Sequence, residues 1–132
     1  MITSNGKSIV VVDDEYDIAK IIKRSLETVC GFKVCTFTDP VAALEHFSSD
    51  SKDHHHAVIS DIRMPGMNGY EFIKQVKKIN PKVKVILISS FGIEDKEFYN
   101  VLSDIKVDGF LQKPFSTRQL NDVIEKIGTI KD

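Results

Sequence analysis

The chain has 132 residues, enough for one domain with its own core, and 42% of them are hydrophobic while 28% are charged. Its formal net charge of -1 argues against direct binding to nucleic acid or to an anionic membrane surface. No stretch is long and apolar enough to span a bilayer, and the N-terminus lacks the apolar run of a signal peptide. We therefore expect a cytoplasmic protein.

Apolar runs alternate with helical patterns along the chain. Runs of β-branched residues bounded by turn residues are typical of buried strands, and apolar residues three and four apart are typical of helices. The predicted strands are 8–12, 32–37, a run that follows the histidines at 54–56 and ends at Asp61, 83–89 and 108–112. Helical patterns follow each strand, the weakest at 91–105 and the last reaching Ile127.

Local signals mark several helix ends. Gly31 is a natural C-terminal stop, and Asp39 followed by Pro40 is typical of an N-cap and the first helical position. Ser116 and Gln119 have the spacing of a capping box for the last helix. Apolar strands that alternate with helices predict an α/β fold, with a parallel sheet covered by helices on both faces.

Polar side chains follow four of the five predicted strands. Asp13 and Asp14 follow the first, Asp61 ends the third, Ser89 ends the fourth, and Lys113 follows the fifth. The carboxyl ends of parallel strands meet at one edge of a sheet, where ligands of such folds bind. We therefore expect these side chains to form one site.

Three neighbouring carboxylates repel one another unless a cation neutralises them. Mg²⁺ suits such a site because it prefers oxygen ligands and keeps waters and phosphate oxygens in its shell. Lys113 adds a point charge for a phosphoryl oxygen, and the Ser89 hydroxyl can donate to another. An Asp carboxylate is a nucleophile for phosphoryl groups, so these residues favour a phosphoaspartate at Asp61.

The chain closely resembles the receiver domain of two-component response regulators, from Ser8 to Ile127. The resemblance implies a doubly wound, flavodoxin-like (βα)5 sheet with strand order 2-1-3-4-5. It also implies a domain over residues 8–128 between tails at 1–7 and 129–132. The matching motifs are Val12-Asp-Asp-Glu15, Asp61-Ile-Arg-Met-Pro-Gly-Met-Asn-Gly69, Ile86-Leu-Ile-Ser89 and Phe110-Leu-Gln-Lys-Pro-Phe115.

The resemblance assigns roles within the site. Asp61 would accept the phosphoryl group of a phosphohistidine on a sensor histidine kinase or a histidine phosphotransfer protein. Asp14, Asp61 and the backbone carbonyl of Arg63 would bind Mg²⁺ or Mn²⁺ directly, and Asp13 would bind it through a water. Lys113 would contact the phosphoryl group. The protein would then be a phosphoacceptor that assists its own phosphorylation and dephosphorylation, rather than a turnover enzyme.

The resemblance also implies a switch. Ser89 and Phe110 occupy the switch positions, and phosphorylation would reshape the face of the fourth helix, the fifth strand and the last helix. That face would bind a downstream protein, and the chain would be a monomer or a weak homodimer. Phe110 lacks the hydroxyl of the family's commoner Tyr, so we expect it to face inward even before phosphorylation.

Two other functions are considered. A receiver fold without phosphorylation would be a constitutive interaction module, which the intact acids, Ser89 and Lys113 argue against. A Mg²⁺-dependent aspartyl phosphohydrolase would need a second acid two residues after Asp61, and that position is Arg63.

The histidines at 54–56 precede the third strand, so they lie at the opposite edge of the sheet. We interpret them as a polar loop rather than a transition-metal site. Cys30 and Cys35 match no zinc pattern, and we expect them to be small buried apolar residues.

Overall fold

The computed structural model describes residues 8–49, 55–89 and 105–127. The predicted helical pattern at 91–105 therefore lies outside the described residues except for Ile105. The described elements are β1 (Ser8–Val12), α1 (Tyr16–Cys30), β2 (Lys33–Phe37), α2 (Pro40–Ser49), β3 (His55–Asp61), α3 (Gly69–Ile79), β4 (Lys84–Ser89), β5 (Gly109–Gln112) and α4 (Thr117–Ile127). None of these helices is long and apolar enough to cross a membrane.

The five strands form one parallel sheet in the order β2-β1-β3-β4-β5. The predicted fold class and strand order are confirmed. Val12 pairs with both Phe37 and Ser60, and Asp61 pairs with Ile88. Because β1 and β3 are neighbours and end at nearly the same level, the residues that follow Val12 lie beside Asp61.

Each face of the sheet packs against its own helices. Successive side chains of a strand point to opposite faces, so the central strands are apolar throughout when both faces are covered. On one face, Ile9, Val11 and Ile59 pack with residues of α1 and α4. On the other, Val10, Val12 and Val58 pack with residues of α2 and α3. This double burial holds the strand ends in fixed positions.

The predicted helix signals are confirmed. Gly31 ends α1 in the left-handed conformation, with φ 73°, and donates its N–H to the carbonyl of Leu26. The Asp39 carboxylate accepts the N–H of Val41 at 2.9 Å. Ser116 and Gln119 exchange hydrogen bonds of 2.8 and 3.1 Å between backbone N–H groups and side-chain oxygens, as a capping box does.

The histidines at the start of β3 differ from the polar loop that the sequence suggested. His55 and His56 belong to the strand, and His55 is only 6% exposed. The Nδ1 atom of His55 lies 2.8 Å from the Ser8 hydroxyl, and its Nε2 atom lies 2.8 Å from Nε2 of His46 in α2. The loop interpretation is therefore wrong for His55 and His56, while His54 lies outside the described residues. Cys35 is half-buried against the α2 and α3 side of the sheet.

Candidate functional site

Asp61 is buried at the carboxyl end of β3, with 4% of its surface exposed. Its Oδ1 atom accepts the backbone N–H of Arg63 at 3.2 Å, and its Oδ2 atom faces Lys113. The Ser60 hydroxyl donates to the Asp61 carbonyl at 3.0 Å. One carboxylate oxygen is therefore fixed by the chain that follows the strand, while the other points at a cation.

The start of α3 packs directly on the Asp61 backbone. Gly69 donates its N–H to the Ile62 carbonyl at 2.7 Å, and Ile62 donates its own to the Ile88 carbonyl at 2.9 Å. A Cβ atom at position 69 would overlap the carbonyl oxygen of Asp61 and the Cα atom of Ile62. Only glycine allows this approach, so Gly69 helps to fix the main chain at Asp61.

Asp13 lies directly after β1 and is fully buried. Its N–H donates to the Phe37 carbonyl at 3.1 Å, and its Oδ1 atom accepts the N–H of Glu15 at 2.9 Å. Its Oδ2 atom is buried and makes no hydrogen bond among the described residues, although the ammonium group of Lys113 lies 3.1 Å away. Burial raises the pKa of Asp13 to about 6; the hydrogen bonds from Glu15 and Lys113 only partly offset this effect.

Lys113 brings the fifth strand into the site. Its backbone N–H donates to the Ser89 carbonyl at 2.7 Å, which ties it to the end of β4. Its Nζ atom lies 2.6 Å from Glu15 Oε1 and 3.1 Å from both Asp13 Oδ2 and Asp61 Oδ2. Burial lowers the pKa of Lys113, but the three carboxylates outweigh this effect and raise it overall. Lys113 therefore carries its positive charge at neutral pH.

The structure brings three carboxylates together with this single ammonium group. Asp13, Glu15 and Asp61 each offer an oxygen, and these oxygens lie within 4.8 Å of one another. The donor set is all oxygen, and the buried Asp13 Oδ2 atom has an ion-pair contact but no hydrogen bond among the described residues, so the residues fit a hard divalent cation such as Mg²⁺.

The predicted ligand set differs in part from this cluster. Asp13 and Asp61 are in it, whereas Asp14 is exposed and outside the three. Glu15 is in it although no role was assigned to it from the sequence. The available signal was its place as the third consecutive acid after β1. The direct ligation by Asp14 and the Arg63 carbonyl, and the water-mediated contact of Asp13, stay predictions.

The two predicted switch positions lie on neighbouring strands. Ser89 is half-buried at the end of β4 and pairs with Gln112. Phe110 pairs with Leu87 and is 37% exposed. The expected inward orientation of Phe110 is therefore wrong for this structure. The buried neighbour Leu111 faces the α1 and α4 side, so alternation along the strand turns Phe110 to the opposite side at the sheet edge.

Known proteins are similar to this chain in sequence and fold. The family model of the response regulator receiver domain matches residues 9–125. The C4-dicarboxylate transport transcriptional regulatory protein DctD of Rhizobium meliloti is 32% identical over 117 residues, which cover 89% of this chain and 24% of that protein. The alkaline phosphatase synthesis transcriptional regulatory protein PhoP of Bacillus subtilis is 30% identical over 123 residues, 92% of this chain and 48% of that protein.

The chain thus spans about a quarter of the first relative and about half of the second. Among solved structures, the chemotaxis protein CheY4 of Vibrio cholerae matches with a TM-score of 0.81 over 92% of this chain and 98% of that one. At 23% identity this likeness shows the fold alone. The family match extends over the strands that carry Asp13, Asp61 and Lys113. The chain belongs to the response regulator receiver domain family.

Proposed function

We propose that this protein accepts a phosphoryl group on Asp61 from a phosphohistidine of a sensor histidine kinase or a histidine phosphotransfer protein. The observation that carries the proposal is the pairing of Asp61 Oδ2 with Lys113 Nζ at 3.1 Å, beside the buried carboxylate of Asp13. A nucleophilic carboxylate, a cation for phosphoryl charge and a second buried carboxylate that suits a metal thus share one edge of the sheet.

In the transfer, a carboxylate oxygen of Asp61 forms the new bond to phosphorus. The phosphorus–nitrogen bond of the donor breaks, and the imidazole nitrogen keeps its electron pair. Lys113 stabilises the negative charge on the phosphoryl oxygens through Nζ. The hydrogen bond from the Arg63 N–H keeps one Asp61 oxygen oriented during the attack.

Mg²⁺ would be held by Asp61 together with Asp14, the Arg63 carbonyl and, through a water, Asp13, and Mn²⁺ could take its place. When bound, the ion supplies positive charge that neutralises the carboxylates and the phosphoryl oxygens. The same residues would assist the later hydrolysis of the acyl phosphate. The protein would then be a phosphoacceptor that assists its own phosphorylation and dephosphorylation, without steady turnover of a small substrate.

The partner that donates the phosphoryl group must reach Asp61 past the start of α1. Tyr16 and Ile21 are large apolar side chains there that are 63% and 55% exposed. Ile18, Ile21 and Phe115 line an open cavity of about 430 Å³ that also contacts Lys113. Exposed apolar surface beside a charged site suits a protein partner, which can cover it on docking.

The output would pass through Ser89, Phe110 and Lys113. Attraction of the Ser89 hydroxyl to the phosphoryl group would open space near Phe110 and alter the face that includes β5 and α4. A downstream protein in the cytoplasm would bind this face, and weak homodimerisation would use the same surface. Residues 8–128 would form the domain that performs these steps.

The test is an intact mass measured after incubation with Mg²⁺ and acetyl phosphate, with and without EDTA. We expect a Mg²⁺-dependent gain of one phosphoryl group that Asp61→Asn abolishes while the fold is retained. Gain of mass by Asp61→Asn would identify another acceptor. No gain by the wild type, together with no binding of beryllofluoride, would overturn the proposal and favour a constitutive interaction module.

A further inference from the structure

Glu15 is the N-cap residue of α1, yet its side chain does not cap the helix. Its backbone carbonyl accepts the N–H groups of Ile18 and Ala19 at 3.1 and 3.2 Å, and within the described ranges its carboxylate makes no capping hydrogen bond. The N-cap side chains that accept a backbone N–H of the first turn are the short ones of Ser, Thr, Asp and Asn, and Glu is not among them. Here Oε1 instead contacts Lys113 Nζ at 2.6 Å.

This contact occupies the last donor of Lys113. An ammonium group has three N–H bonds, and Lys113 Nζ donates to Asp13 Oδ1 at 3.4 Å, to Glu15 Oε1 at 2.6 Å and to Asp61 Oδ2 at 3.1 Å. The contact to Glu15 is the shortest of the three. A phosphoryl oxygen on Asp61 that is to accept a hydrogen bond from Lys113 must therefore displace one of these carboxylates.

The three carboxylates are not equally easy to displace. Asp13 and Asp61 are buried and held by backbone N–H groups of Glu15 and Arg63. The Glu15 side chain is 59% exposed and reaches the site on a longer, more flexible stem. Water can solvate its carboxylate as soon as it leaves Lys113, so its release carries the smallest desolvation cost.

The buried Asp13 Oδ2 atom has the ammonium group of Lys113 as a counter-charge at 3.1 Å but makes no hydrogen bond among the described residues. A divalent ion bound by the buried carboxylates would take over their neutralisation. Asp13 and Asp61 would then depend less on the Lys113 ammonium group for neutralisation. The exposed Glu15 carboxylate would still compete with the phosphoryl group for that ammonium group.

We propose that Glu15 is a positioning residue that holds Lys113 in the resting protein and is displaced when a phosphoryl group occupies Asp61. This inference rests on the proposed function. The ion pair between Glu15 and Lys113 keeps the ammonium group over the site, but it opposes the binding of a phosphoryl group by Lys113. The strength of this ion pair therefore sets how readily Lys113 contacts a phosphoryl group on Asp61.

The test is a titration with beryllofluoride, which mimics a phosphoryl group on a carboxylate, at Mg²⁺ concentrations that saturate each variant. Glu15→Gln keeps the side-chain length but removes the charge, and we expect it to bind beryllofluoride roughly two- to five-fold more tightly than the wild type, as the loss of a partly exposed ion pair predicts. Asp17→Asn removes an exposed charge from the first turn of α1 and serves as the matched control, with unchanged affinity.

A second variant separates contact from charge. Glu15→Asp retains the charge but shortens the side chain, so it should share at least part of the gain. Equal or weaker binding by Glu15→Gln, or a gain that Glu15→Asp lacks entirely, would overturn the inference. Failure of the wild type both to bind beryllofluoride and to accept a phosphoryl group would instead overturn the proposed function itself.

Discussion

The carboxyl edge of the sheet, at Asp13 and Asp61, and its amino edge, at Ser8 and His55, are both lined by buried polar side chains. At the amino edge, Ser8, His55 and His46 form a chain of hydrogen bonds of 2.8 Å. Each imidazole nitrogen can act as donor or acceptor, so these side chains can satisfy one another there. At the carboxyl edge, three acids share one ammonium group, and the buried Asp13 Oδ2 atom makes no hydrogen bond among the described residues.

This difference separates polar groups that satisfy one another from charged groups that repel one another. A satisfied network adds to stability and fixes the local geometry, whereas clustered like charges oppose folding unless a cation neutralises them. The same sheet supports the hydrogen-bonded network at one edge and the charged cluster at the other. This is possible because the apolar packing on its two faces does not depend on the polar residues at its edges. Substitutions at the two edges should therefore have different consequences for phosphorylation.

The largest effect is expected for Gly69→Ala at the carboxyl edge. The added methyl group must displace the backbone at Asp61 and Ile62, so we expect a loss of about 2–3 kcal/mol in the free energy of unfolding, typical of overpacking. Phosphorylation by acetyl phosphate should slow as well, because Asp61 itself moves. Urea unfolding and the labelling rate measure the two effects.

Gly109→Ala is the matched control for this variant. A Cβ atom at position 109 would approach the side chain of Val123, which can shift more easily than a backbone. It should cost less stability than Gly69→Ala and leave the labelling rate close to that of the wild type. Equal losses in both variants would contradict the role of Gly69 in fixing Asp61.

His55→Ala at the amino edge should lower the free energy of unfolding by about 2 kcal/mol, somewhat less than Gly69→Ala. It removes a buried ring and leaves Ser8 and His46 without this partner. Its phosphorylation under native conditions should match that of the wild type, since the site lies at the other edge. His56→Ala, at a half-buried ring stacked on Phe32, is the control and should cost less. Loss of labelling in folded His55→Ala would show that the two edges are coupled.

The smallest effect is a pH dependence from Asp13. Because the folded protein holds this proton more tightly than the unfolded chain, the group contributes stability that is fully present below pH 3.8 and is lost as the pH rises through about 6. Without Mg²⁺ we expect a loss on the order of 1 kcal/mol between pH 5 and 7. Asp13→Asn should remove this component, which thermal unfolding at several pH values can measure. An unchanged pH profile in Asp13→Asn would assign the dependence to another group.

Much of the fold follows from the sequence because its signals are local. The cap at Asp39 and the stop at Gly31 depend on neighbouring residues and are confirmed. The meeting of Asp13, Asp61 and Lys113 also follows, because parallel strands place their carboxyl ends on one edge. The strand order came from the family resemblance.

Three features could not be predicted because they depend on contacts between distant residues. Glu15 meets Lys113 across 98 positions of the chain, and nothing near Glu15 indicates that its side chain leaves the helix N-terminus. His55 is buried through Ser8 and His46, which belong to other elements. The orientation of Phe110 is set by which face of an edge strand the helices cover.

The segment between β3 and α3 is held in place by hydrogen bonds that backbone N–H groups donate. Gly69 donates to the Ile62 carbonyl, and the contact to Asp61 Oδ1 comes from the backbone N–H of Arg63. These bonds need a fixed loop length and no proline at position 63, but they place no demand on the side chain there. The exposed side chain at position 63 can therefore be exchanged to change the chemistry beside the site while Asp61 itself stays in place.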